Sequence, residues 1–101
     1  MGDPTFEIVI SEDAIEDLKV LKKPERTTIL DGLTPQLARE PTTETRNRNP
    51  LRPNELSKWE LRIGIYRVFY DVDDENSKVL IKAVGWKDHN ILRIRGKEYL
   101  L

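Results

Sequence analysis

Apolar side chains at Phe6, Ile8 and Ile10 alternate with Glu7 and Val9, a period of two that predicts a half-buried strand. The period then changes. Ser11 suits an N-cap, Glu12 and Asp13 place negative charge in a first helical turn, and Ala14, Ile15, Leu18 and Leu21 recur at helical spacing. This predicts a helix to about Lys22. Pro24 suits the first turn of a second helix, in which Ile29, Leu30, Leu33 and Leu37 share one core-facing stripe. The two helices form a hairpin. Gly32 inside the second costs roughly 1 kcal/mol relative to alanine, and Pro35 predicts a kink or an end.

From Glu40 to Leu56 the periodicity fades among prolines, threonines and arginines, which predicts a long basic loop. Alternation returns at Trp59, Leu61 and Ile63 against Lys58, Glu60 and Arg62, a strand closed by Gly64. Tyr66, Val68 and Tyr70 alternate with Arg67, Phe69 and Asp71 in the next. Asp73 to Asn76 supply turn residues, and the run from Val79 to Gly85 completes an antiparallel three-stranded meander. The tail from Ile91 to Leu101 is either two short strands or an extension. The pattern describes an α+β protein: an N-terminal strand, a two-helix hairpin and a meander, with the helices packed on one sheet face. A chain of 101 residues has room for one core, so residues 1–101 are expected to form a single domain.

Charge sharpens this picture. The net charge is only -1, yet residues 1–44 hold five basic and ten acidic side chains, whereas residues 45–70 hold six basic and two acidic. Residues 86–101 are again basic. Brought to one face, the two basic segments make a patch suited to phosphate or to an acidic partner. No apolar run is long enough to span a membrane, and residues 1–10 lack a basic and apolar leader pattern, so a cytoplasmic location is expected.

The absence of cysteine removes thiolate nucleophiles, sulfur metal sites and disulfides. Asp71, Asp73, Asp74 and Glu75 lack the glycine and closing glutamate of a calcium loop. His89 is the sole histidine, and no glycine-rich phosphate loop exists. No metal and no small-molecule cofactor are expected. There remains the strand pair around Gly64, where Lys58, Glu60 and Arg62 share a face and Arg67 follows on the neighbouring strand. Such a group of cations can hold a phosphodiester and stabilise charge that develops on it; its bland alternative is a solvated face with cross-strand ion pairs.

The order of elements, together with Trp59-Glu60-Leu61-Arg62-Ile63-Gly64-Ile65-Tyr66-Arg67-Val68-Phe69-Tyr70, Ala83-Val84-Gly85 followed by Lys87, and Leu51 ahead of the second strand, resembles the RelE/ParE superfamily of bacterial toxins. The resemblance, closest to the RelE branch, implies a toxin that represses translation by cutting mRNA at the ribosomal A site without a metal. There the substrate's own 2'-OH attacks the adjacent phosphate. The ParE branch implies instead inhibition of DNA gyrase, and both imply a cognate antitoxin as partner, with ribosome and mRNA as further partners of the RelE branch. Carried over by position, Arg67 grips the phosphate, Lys58 matches a lysine of proton transfer, Lys87 replaces an arginine, and His89 supplies an acid or base. Arg62, Arg48, Arg52 and Arg93 are the expected RNA and phosphate contacts. Glu60 departs from the pattern, standing where the RelE archetype has a second lysine, and the archetype's C-terminal tyrosine is matched only roughly, by Arg93 or Leu92.

Overall fold

The computed structural model describes residues 5–99. The first strand, β1 (Glu7–Ile10), leads into α1 (Glu12–Lys19), α2 (Lys23–Leu37), β2 (Arg48–Pro50), β3 (Trp59–Ile63), β4 (Tyr66–Asp73), β5 (Lys78–Asp88), β6 (Ile91–Ile94) and β7 (Lys97–Tyr99). Among the described residues the strands make one mixed sheet in the order β2-β3-β4-β5-β6-β7, with β1 parallel to the first part of β5. The predicted α+β arrangement and meander are present. One difference follows from pairing that periodicity cannot show: part of the basic loop becomes β2, laid antiparallel on β3. Of the two readings of the tail, the structure has the two short strands, β6 and β7, paired as a hairpin.

Each helix has a local cause. Ser11 Oγ accepts the Ala14 N–H at 3.1 Å, which caps α1. α1 ends at Lys19, short of the expected Lys22, because the Lys22 N–H is held by the Glu25 carboxylate at 3.1 Å as α2 begins. Pro35 does not end α2, which runs two residues further to Leu37. The buried stripe is also narrower than expected: Ile29, Leu33 and Leu37 are buried, whereas Leu30 and Ile15 face solvent.

The helices cover one face of the sheet. Ala14, Leu18, Ile29, Leu33 and Leu37 pack on Leu61, Val68, Tyr70, Val79, Ile81 and Val84. Gly32 belongs to this contact, since a Cβ there would lie 2.9 Å from Ile63 Cδ1; its absence lets α2 close on β3. Tyr70 Oη donates to the Pro41 carbonyl at 2.7 Å, pinning the chain after α2 to the sheet. Burial raises the Tyr70 pKa.

The opposite face holds a smaller cluster of Phe69, Ala83, Leu92 and Ile94, flanked by Leu51, Leu56 and Tyr99. Here β6 curls onto the sheet over Gly85, where a Cβ would collide with the Arg93 carbonyl and come within 2.6 Å of Ile94 Cγ1. A β-bulge in β5 separates the pairs Phe69–Ala83 and Tyr70–Ile81, leaving Lys82 without a partner in the ladder. Between the end of β1 and the start of β6, the edge of β5 is open. Asp17 of α1 closes it by accepting the Val84 N–H at 3.0 Å, and Arg95 joins from the β6–β7 turn with Nε 2.9 Å from Asp17 Oδ1. That approach is too oblique for a hydrogen bond; Arg95 Nη2 donates to Asp17 Oδ2 at 3.3 Å instead, and Oδ1 has no donor among the described residues. Burial raises the Asp17 pKa, opposed by the Val84 N–H and by Arg95.

Candidate functional site

The face opposite the helices carries the basic side chains of the central strands. On β3 and β4 the pairs Arg62–Arg67 and Glu60–Phe69 share this face, and on β5 Gly85 lies opposite Arg67. Alternation puts Lys87 on the same face. Glu60 organises the cluster: its side chain is only 7% exposed, Oε2 accepts from Arg62 Nε at 3.2 Å, and Oε1 lies 3.7 Å from Arg67 Nε. A carboxylate thus sits at the centre, and the flanking arginines are drawn toward it.

Arg67 is held tightly. Its Nη1 donates to the Gly64 and Tyr66 carbonyls at 2.7 and 2.9 Å, and its side chain is 13% exposed. Burial lowers its pKa, Glu60 opposes the shift, and neighbouring Arg62 adds to it. The guanidinium remains a cation at any physiological pH. Its Nε is buried without a hydrogen-bond partner among the described residues. On the other side of the sheet, burial and then Glu25 raise the pKa of Tyr66, so that phenol stays protonated.

Lys87 is half-buried, and its backbone N–H donates to the Ile65 carbonyl at 2.8 Å, which brings the Gly64 turn and the end of β5 together. His89 sits at this same end, at the tip of the β5–β6 hairpin. His89 and Asn90 both have positive φ, as a two-residue type I′ turn demands. The imidazole is 95% exposed, with Asp88 Oδ1 at 3.6 Å.

Lys58 and Arg52 lie on the same face at the other end of the sheet. Lys58 is four residues from Arg62 along the strand, about 13 Å of backbone. Its N–H donates to Asp71 Oδ1 at 2.7 Å. With Arg52 it borders a groove of about 490 Å³ beside the Leu51–Ser57 loop. Asn54 shapes that loop by accepting the N–H groups of Leu56 and Ser57 on Oδ1, at 2.7 and 3.1 Å.

Two expected contacts lie elsewhere. Arg48 pairs with Leu61 and so faces the helices, where Nη1 donates to Gln36 O at 2.6 Å and Nε to Thr43 O at 3.1 Å, capping the end of α2. Arg93 pairs with Trp86 on the helix side and lies between Asp88, at 3.2 Å, and Glu98, at 3.6 Å. Arg62, Arg67 and Lys87 are therefore brought together, His89 stands at their edge, Lys58 and Arg52 form a second group, and Arg48 and Arg93 are turned away. Sequence reasoning overlooked Lys82, which meets the distant Leu51–Ser57 loop only in the folded sheet, and the Asp17–Arg95 pair, whose members are far apart in the chain. Among the described residues no set of three or more histidine, cysteine or acidic side chains converges as metal ligands, and no helix is long and apolar enough to cross a membrane.

No protein-family model and no curated protein matches the chain. Solved structures do. A chain of the toxin–antitoxin complex RelBE2 from Mycobacterium tuberculosis superposes with a TM-score of 0.71 and 28% identity, over 82% of this chain and 92% of that one. The fold is RelE-like. A chain of the archaeal RelE–RelB complex from Pyrococcus horikoshii OT3 shares the fold at a TM-score of 0.62 and 22% identity, covering 79% of this chain and 92% of that one. The RelE-like sheet is thus the scaffold on which Arg62, Arg67 and Lys87 converge.

Proposed function

We propose that this chain is the single-domain toxin of a toxin–antitoxin pair and that it cleaves mRNA on the ribosome. The observation that carries this reading is the convergence of Arg62, Arg67 and Lys87 around Glu60, on the sheet face that the helices leave uncovered. Likeness to RelBE2 supports the toxin role and an antitoxin as partner.

The chemistry suits such a cluster. The 2'-OH of the substrate attacks the adjacent phosphorus, the bond to the 5' oxygen of the next nucleotide breaks, and a 2',3'-cyclic phosphate and a 5'-OH result. The protein must then supply charge for the phosphorane and a path for one proton in and one out. Arg67, its Nη1 anchored by two carbonyls, presents Nη2 to the phosphate in a fixed orientation. Lys87 adds a second charge, and His89, exposed at the adjoining hairpin tip, is the acid or base that moves the proton. Arg62, exposed beside them, adds charge at the edge of the phosphate site.

Expression under a tight promoter, with 5' ends of cellular mRNA mapped within minutes of induction, tests the proposal. New ends inside translated frames, abolished by Arg67→Ala and reduced by Lys87→Ala, are the expected result. The Lys87 variant leaves the Gly64 carbonyl contact intact and so guards against a folding defect. One observation favours a second reading: Arg67 is mostly buried and bonded to backbone, as a purely structural arginine would be. In that reading the chain binds an antitoxin and acts on DNA gyrase or on nothing. Growth arrest without new mRNA ends, persisting in Arg67→Ala, would establish that version and refute cleavage.

A further inference from the structure

The groove beside the Leu51–Ser57 loop is separate from the Arg67 cluster, and its composition is distinctive. Leu51, Pro53 and Leu56 line it with apolar surface, while Arg52, Lys58 and Lys82 place three cations around it. None of the three forms an ion pair among the described residues. Of the two carboxylates present, Asp71 is engaged by the Lys58 N–H, and Glu55 is left exposed. Lys82 borders the groove from the β5 bulge: next to Ile81, which faces the helices, it lies on the opposite face, and as the extra residue between the Phe69–Ala83 and Tyr70–Ile81 pairs it has no β4 residue opposite it. The Lys82 carbonyl accepts from Ser11 Oγ at 3.3 Å, so the bulge is fixed from outside the groove.

We propose that this groove binds the single-stranded RNA on one side of the cleaved phosphate, with Lys82, Lys58 and Arg52 on successive backbone phosphates and the apolar floor against a base. The inference rests on the nuclease reading and deepens it by adding a substrate contact. What favours RNA over a peptide is continuity. The groove and the Arg62–Arg67–Lys87 cluster occupy one face, about 13 Å apart along β3, and a strand with a charge at every nucleotide meets both groups of cations. An α-helix N-terminus or glycine loop is not needed, since unpaired lysines and arginines suffice for sequence-independent phosphate binding.

Binding of a fluorescent oligouridine to the full chain, followed by anisotropy over a range of salt, tests the assignment. The slope of log K against log salt should shrink by about 1.4 in Arg52→Ala/Lys82→Ala, or roughly 0.7 for each phosphate contact removed. Lys82→Arg should restore the share belonging to Lys82. Circular dichroism of the double variant should match the parent, since both side chains are exposed. An unchanged slope overturns the proposal, and so does a parent chain that fails to bind at low salt. A labelled polyglutamate peptide of equal length provides the remaining arm: if the double variant loses that probe but keeps oligouridine, the groove is a peptide site. Mapping of mRNA ends with Arg67→Ala is scored independently, so cleavage can stand while the groove assignment falls.

Discussion

Asp17→Ala removes a side chain that performs two tasks at the open edge of β5. Its Oδ2 is the partner of the Val84 N–H, and with that oxygen gone the buried N–H has no acceptor, which costs about 1–3 kcal/mol. Its charge faces Arg95, and breaking a fully buried pair costs about 3–5 kcal/mol. The Arg95 side chain, however, is 36% exposed and rehydrates once released, so only a small part of that figure applies. The sum is about 2–4 kcal/mol, a large share of the 5–15 kcal/mol typical of a folded domain, and each kcal/mol moves Tm by about 4–8 °C in a chain of this size. Urea unfolding followed by the fluorescence of Trp59 and Trp86 measures it. Asp17→Asn supplies the pH arm, because its amide oxygen still accepts from Val84 but does not titrate. The pKa of Asp17 is raised in the fold above 3.8, so the stabilisation linked to its protonation is fully present below 3.8 and is lost as pH rises through the folded value. The stability of the parent relative to Asp17→Asn should therefore decline with pH across that window and then level off. A cost below about 1 kcal/mol for Asp17→Ala, or a flat difference for Asp17→Asn, would refute the assignment of this pair as the closure of the sheet edge.

Gly85→Ala should destabilise by about 1–3 kcal/mol, since its methyl would occupy the space of the Arg93 carbonyl and Ile94 Cγ1; amide exchange should speed up selectively in the β6–β7 hairpin as it lifts from the sheet. Tyr70→Phe should cost about 1–2 kcal/mol in urea unfolding by leaving the buried Pro41 carbonyl unpaired, with no change in RNA binding, because Tyr70 lies on the helix side.

Local pattern determined much of this protein. Alternation at Phe6 to Ile10 and along Trp59 to Gly85, and the helical recurrence of Ala14 with Leu18 and of Ile29 with Leu33 and Leu37, are properties of neighbouring residues and were legible without a fold. So were the shared face of Glu60 and Arg62 and the basic character of the central strands, since a strand's period fixes which side chains lie together. Periodicity could not say which strands pair. The parallel seat of β1 on β5, the conversion of part of the loop into β2, and the curl of β6 over Gly85 come from contacts between distant segments. Those contacts sorted the candidates: strand pairing joined Arg67 to Lys87, turned Arg48 to the helix end and Arg93 to the helix side, and the packing of the Leu51–Ser57 loop set Lys82 beside Lys58 and Arg52 at the groove. The Asp17–Arg95 pair was hidden for the same reason, because its place is a gap between two strands that exists only once the sheet has formed.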